Sequence, residues 1–108
     1  MDLAVWQRWW RSAGERELRV VAMEQWNPIG VPDLPADEYD AYLGRIAVRL
    51  RDGVSTEELA AFLSELSEYI GVESAPDADA AAASAMRAWY DSSTTRFTSE
   101  LGRPSGMN

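Results

Sequence analysis

The sequence predicts an all-α protein, a compact bundle of four to five helices around a central antiparallel helical hairpin. Three observations predict it. Apolar residues recur at i, i+3, i+4 and i+7 along several separate stretches, the spacing of a helix with one buried face. Those stretches are punctuated: Asp2, Ser12, Ser55 and Ser74 stand where helices start, and Pro28, Gly53 and Gly71 where they stop. The link Asp52-Gly53-Val54 is so short that the helices on either side should pack antiparallel. With 108 residues, 46% of them hydrophobic, the chain has the size of one domain and enough apolar surface for one core. Residues 1–108 are read as that single domain, ordered to about residue 95, with 102–108 as a frayed tail.

Asp2 can cap a first helix reaching about Ser12, with Leu3, Trp6, Trp10 and Ala13 at helical spacing and Val5 and Trp9 widening the apolar face. Ser12-Ala13-Gly14-Glu15 matches a capping box, and Gly weakens a helix by about 1 kcal/mol relative to Ala. A break or bend at Gly14 is expected, and one continuous helix to Trp26 also fits. From Glu15 to Trp26, Leu18, Val21, Ala22 and Gln25 share one side, with Val20, Met23 and Trp26 nearby. Pro28 stops this helix, because it has no amide hydrogen and its ring disfavours helical geometry at Asn27. Gly30 and Pro32 make a stiff connection, and Pro35 suits the first turn of the next helix.

The third helix is predicted from about Pro35 to Asp52. Tyr39, Tyr42, Leu43, Ile46, Ala47 and Leu50 form its stripe. Asp37, Glu38 and Asp40 fall early and Arg45, Arg49 and Arg51 late, as the helix dipole favours, and Gly53 fits a left-handed C-cap. Ser55-Thr56-Glu57-Glu58 is a second capping box. The fourth helix runs to about Ile70. Leu59, Phe62, Leu63, Leu66 and Ile70 are its buried stripe, and Glu57, Ala61, Ser64, Glu65 and Glu68 its outer side. Ser74 and Pro76 start a fifth helix, whose Ala-rich run 80–85 allows close approach and whose apolar end is Met86, Trp89 and Tyr90. From Asp91 the chain turns Ser/Thr-rich, with Phe97 and Leu101 able to dock back.

The composition excludes much chemistry. There is no Cys and no His, which removes disulfides, thiolates, the commonest general base and the commonest transition-metal ligand. No Gly-rich phosphate loop and no nucleophile elbow occur. All ten basic residues are Arg, a usage that fits a GC-rich bacterial genome. No apolar run is long enough to cross a bilayer, and Trp6 to Arg11 mixes indoles with Arg where a signal peptide needs a smooth apolar stretch. The expectation is a cytoplasmic, non-enzymatic protein with no cofactor and no metal. The net charge of −8 is unevenly placed. Residues 53–79 carry Glu57, Glu58, Glu65, Glu68, Glu73, Asp77 and Asp79 with no base, whereas acids and bases balance over residues 1–26. The acidic segment repels phosphate backbones and anionic lipid, so neither nucleic acid nor membrane is an expected partner, and a basic protein would be attracted.

Trp26-Asn27-Pro28-Ile29-Gly30-Val31, Asp37-Glu38-Tyr39-Asp40-Ala41-Tyr42, Arg51-Asp52-Gly53-Val54-Ser55 with Glu57 and Glu58, and Ile70-Gly71-Val72 together resemble a group of small, uncharacterised bacterial proteins. Their pattern is Trp-Asp-Pro-Ile-Gly-Val, then Asp-Glu-Tyr-Asp, then a Gly-Ala-Ser-like turn before a helix ending near Gly-Leu. The YugE-like proteins of unknown function are more distantly similar. The resemblance covers roughly residues 18–72. It implies a helical protein without an established activity, and for some members a role as immunity proteins encoded beside toxins. The chain departs from the pattern at Asn27, where Asp is usual, in its Trp-rich beginning and in its Ala-rich fifth helix. Loss of a carboxylate at Asn27 weakens any metal or acid–base role for that loop.

Several residues are candidates for function. Asp33, Asp37, Glu38 and Asp40 form an acidic cluster that could attract Ca²⁺ or Mg²⁺, but the spacing is not that of an EF-hand loop. Helix-dipole and capping chemistry is the simpler account, with Asp37, Glu38 and Asp40 left as partner contacts. Tyr39 reads as core, its hydroxyl bonded to the Pro-rich loop. Trp26 reads as a packing anchor over Pro28, with a partly exposed binding residue as the alternative. Trp6, Trp9 and Trp10 cover one side of a short helix. Either they fill the bundle, or the three of them, Trp9 and Trp10 foremost, with Arg8 and Arg11 interleaved, present an exposed aromatic patch for a homodimer or a protein partner. The acidity disfavours stacking on nucleic acid. Glu57, Glu65 and Glu68 form a solvated face or a polyanion mimic that covers the basic cleft of a nuclease. The expected function is that of an immunity protein binding and neutralising a cognate, basic toxin domain. The alternative is a structural or regulatory interaction module, a homodimer or an adaptor.

Overall fold

A computed structural model describes residues 1–26, 36–71 and 75–101, and every regular element among them is a helix. Asp2 starts α1 (Leu3–Trp9) by accepting a hydrogen bond from the Val5 amide at 2.8 Å. No break follows. Trp10–Gly14 form a single π turn, and Gly14 and Glu15 keep right-handed helical angles, so α1, the π turn and α2 (Glu15–Gln25) make one rod. The capping box expected at Ser12 is not formed. Inside a continuous helix its hydroxyl has no free amide to accept from, and it donates back to the Arg8 carbonyl at 2.7 Å.

The π turn sets the phase of the rod. Trp6 and Leu18 are twelve residues apart and would point about 120° apart on an uninterrupted α-helix; a turn that absorbs one extra residue brings them within about 20°. Both are in fact buried, at 6% and 0% exposure. Gly14 is buried too, with the Trp9 indole laid across it.

α3 (Ala36–Arg51) and α4 (Thr56–Ile70) form the predicted hairpin. α3 ends in a Schellman motif: the Gly53 amide donates to the Leu50 carbonyl (3.2 Å) and the Val54 amide to the Arg49 carbonyl (3.4 Å). Gly53 supplies the positive φ of 75° that this closure needs. Ser55 then caps α4 by accepting from the Glu58 amide at 3.1 Å. Gly71 ends α4 in the left-handed region, as expected.

α5 (Pro76–Leu101) is the longest element and packs along α4 and across to α2. Ala82, Ala83 and Met86 are fully buried, the small side chains allowing the close approach that the Ala run implied. The helix does not end near Tyr90. It continues through the Ser/Thr-rich stretch because Thr94 and Thr98 donate to the carbonyls of Tyr90 (2.8 Å) and Thr94 (2.9 Å), so their hydroxyls are satisfied within the helix. Phe97 packs against the core, as expected. Ser64, expected outside, is half-buried and donates to the buried carboxylate of Asp79 at 2.7 Å, which pins α4 to the start of α5.

The core joins Trp6, Trp9, Leu18, Ala22 and Trp26 of the first rod to Leu43, Ile46 and Leu50 of α3, Leu59, Phe62, Leu63 and Leu66 of α4, and Met86 of α5. The expected roles of Pro28, Gly30, Pro32, Asp33, Pro35 and Ser74, and the tail 102–108, lie outside the described residues. Among the described residues no helix is long and apolar enough to cross a membrane.

Candidate functional site

The outer face of α4 carries a stripe of exposed carboxylates. At about 100° per residue, Glu57, Glu68, Glu65 and Glu58 fall within ~100° of the helix circumference. All four are exposed, and none has an ion-pair partner among the described residues. Tyr69, at the edge of this stripe, is 74% exposed and meets Tyr42 edge-on, with ring centroids 6.4 Å apart. Beside the stripe lies a shallow groove lined by Arg49, Val54, Glu58, Ala61, Phe62 and Glu65. The Arg49 guanidinium lies over the Phe62 ring, its Cζ 3.5 Å from the centroid. The face therefore offers carboxylates, a phenol and one stacked guanidinium, a chemistry suited to a cationic protein surface.

A second constellation ties the first rod to α5. Trp9 donates its indole N–H to Ser93 (2.9 Å), and Ser93 donates to Glu17 Oε1 (2.8 Å). Trp89 and Arg96 donate to the same oxygen, at 3.0 and 3.3 Å. Trp6 donates to the Tyr90 hydroxyl at 2.9 Å. Burial pushes the Tyr90 phenol above its ordinary range, against the Trp6 hydrogen bond and the positive charges of Arg87 and Arg51, which pull it down. These bonds satisfy buried indoles and hold α5 in place. Among the described residues no group of three His, Cys, Asp or Glu could hold a metal ion.

The sequence-predicted site residues divide accordingly. Glu57, Glu65 and Glu68 stand together on the α4 face. Asp40 forms an ion pair with Arg19 of α2, which also faces Glu15 at 3.6 Å, so its carboxylate is already engaged in joining α2 to α3. Asp37, Glu38 and Tyr39 fall in α3, and their side chains lie outside the described residues. The aromatic-patch reading is corrected for Trp6 and Trp9, both buried, and the exposed alternative for Trp26 is corrected with it. Trp9 is wholly buried against α5, where its indole meets Ser93, and Trp26, one turn after the buried Ala22, is 5% exposed, so neither can meet a partner. Trp10 is half-buried and stacks on Trp6, centroids 5.9 Å apart and planes 7° apart. Sequence reasoning missed the hub role of Glu17, whose donors lie 72 to 79 residues away, and the exposed Tyr69.

No family model matches the chain, and no curated protein and no solved structure matches it. The resemblance to small bacterial proteins therefore rests on its motifs alone.

Proposed function

We propose that this is a non-enzymatic protein-binding module that acts as an immunity protein, docking through the α4 face onto a basic toxin domain and blocking its active site or substrate path. The observation that carries the reading is the stripe of Glu57, Glu58, Glu65 and Glu68, four exposed carboxylates without an internal counter-ion among the described residues. Such a face steers a cationic partner into contact and needs no catalytic group of its own. The exposed Tyr69 beside it supplies the kind of aromatic anchor that interfaces use.

The test is co-expression with the toxin encoded next to the gene, followed by binding measurements on the purified pair. Protection is expected, and Glu65→Arg with Glu68→Arg should slow association and flatten its dependence on salt. A chain that neither protects nor binds its neighbour sinks the reading. The second reading, a structural or regulatory adaptor, draws on the exposed apolar residues of α2, Val20 and Met23.

A further inference from the structure

The last third of α5 is fastened differently from the rest of the helix. Up to Tyr90 the helix is anchored by burial: Ala82, Ala83 and Met86 are fully buried, and Trp6 donates to the Tyr90 hydroxyl at 2.9 Å. From Asp91 to Glu100 the one buried residue is Ser93, and the one apolar side chain packed against the core is the half-buried Phe97.

Local propensity gives this segment little support. Ser92, Ser93, Thr94, Thr95, Thr98 and Ser99 are weak helix formers, because their hydroxyls serve backbone groups as well outside a helix as inside it. The bonds that Thr94 and Thr98 make one turn back lie within α5 and tie it to nothing else.

What ties it down is one carboxylate oxygen. Glu17 Oε1 accepts from Ser93 at 2.8 Å and Arg96 at 3.3 Å, beyond Asp91, and from Trp89 at 3.0 Å, before it. The Arg96 side chain is 61% exposed, so its pair contributes little. Ser93 carries the clasp, and because it also accepts from Trp9, its two bonds break together. A cleft lined by Ala13, Glu17, Ser93, Arg96, Phe97 and Glu100 lies between the π turn and this part of α5, so water reaches the clasp directly.

We propose that residues 91–101 form a strap, hinged at Asp91 and clasped by Glu17, that opens and recloses as one unit while the rest of the bundle stays folded. Trp89 remains bonded to Glu17 in the open form and holds the carboxylate where Ser93 returns to it. Opening uncovers the Trp9 indole N–H and Ala13. The α4 carboxylates take no part, so the strap stands or falls independently of toxin binding.

Hydrogen exchange of the full native chain, followed by NMR at urea concentrations below the unfolding transition, tests it. The amides of residues 95–100 should share one opening that depends little on urea, on the order of a hundredfold faster than the amides of Leu63 and Met86. Glu17→Ala should speed exchange of 95–100 about tenfold, by loss of the hydrogen bonds to its charged oxygen. Ile46→Val, in the buried stripe of α3, should speed exchange at Leu63 and Met86 several-fold and leave 95–100 unchanged. Protection that rises evenly from Glu100 inward is ordinary fraying and overturns the proposal. So does a urea dependence at 95–100 equal to that at Leu63, which means that the segment unfolds only with the bundle. Both of these are read on the wild type, whatever the folding of the Glu17 variant.

Discussion

The ring of Trp9 stands where a side chain on residue 14 would have to go: a Cβ built on Gly14 would lie 2.8 Å from Cη2 and 2.9 Å from Cζ2 and Cζ3 of the indole. Gly14→Ala sets two effects against each other. Helix propensity favours Ala by about 1 kcal/mol. A fully buried, rigid indole cannot yield cheaply, and overpacking of this kind costs about 1–3 kcal/mol. The expected outcome is a net loss of stability in urea denaturation. A more stable Gly14→Ala protein would mean that the indole moves aside freely.

Ser93 serves two groups at once, accepting from the buried Trp9 and donating to the half-buried Glu17. Ser93→Ala strands the Trp9 indole N–H in the core, at a cost of about 1–3 kcal/mol. In a Trp9→Phe background there is no N–H to strand, so the Ser93→Ala penalty should shrink. Additive penalties in that double-mutant cycle would contradict the linkage.

Arg87 of α5 donates to two carbonyls at the end of the hairpin link, Leu50 at 3.2 Å and Val54 at 2.8 Å. Its side chain is 23% exposed. Arg87→Ala should cost about 1–3 kcal/mol, the range for hydrogen bonds to charged groups. Arg87→Lys should recover only part of it, because one ammonium lacks the fork that serves both oxygens. Full recovery by Lys in a denaturation series would point to charge rather than geometry.

The Tyr90 phenol gives an alkaline signature. In the unfolded chain it ionises near 10.0, and in the folded chain burial raises that value. The folded state therefore holds the proton more tightly. Its stability is intact below 10.0 and falls as pH rises through the raised folded value. Urea midpoints measured on either side of that range should show the decline. Tyr90→Phe should lose stability at neutral pH, because Trp6 loses its acceptor, while its dependence on alkaline pH flattens. An unchanged alkaline slope in that variant would remove Tyr90 as the cause.

Local signals were legible and distant ones were not. Asp2, Ser55, Gly53 and Gly71 cap or close helices where their chemistry says they should, since each acts within a few residues of its own position. Tyr42, Leu43, Ile46, Ala47 and Leu50 of α3 and Leu59, Phe62, Leu63 and Leu66 of α4 are buried as their spacing implies, and Ile70 partly so. Ser12 and Gly14 misled because the same residues that open a helix can also sit inside one, and only the Trp9 ring explains the glycine. The Ser/Thr run after Asp91 looked like an ending because its hydroxyls compete with the backbone. In α5 they bond one turn back and leave the helix intact. Of the candidate site, the α4 carboxylates were visible from their period and the absence of bases. The burial of Trp9 and the pairing of Asp40 with Arg19 depend on partners 84 and 21 residues away, and no local pattern encodes them.

The π turn also bears on how long this segment has to be. A rod that swallows one spare residue in a widened turn has room to lose it. Without the exposed Arg11, α1 would run into α2 as an ordinary helix, with Trp6 and Leu18 still side by side. One residue more would rotate the two halves apart and lift either the tryptophans or Leu18 out of the core. The segment is thus free to vary in one direction only: it tolerates a deletion where it refuses an insertion.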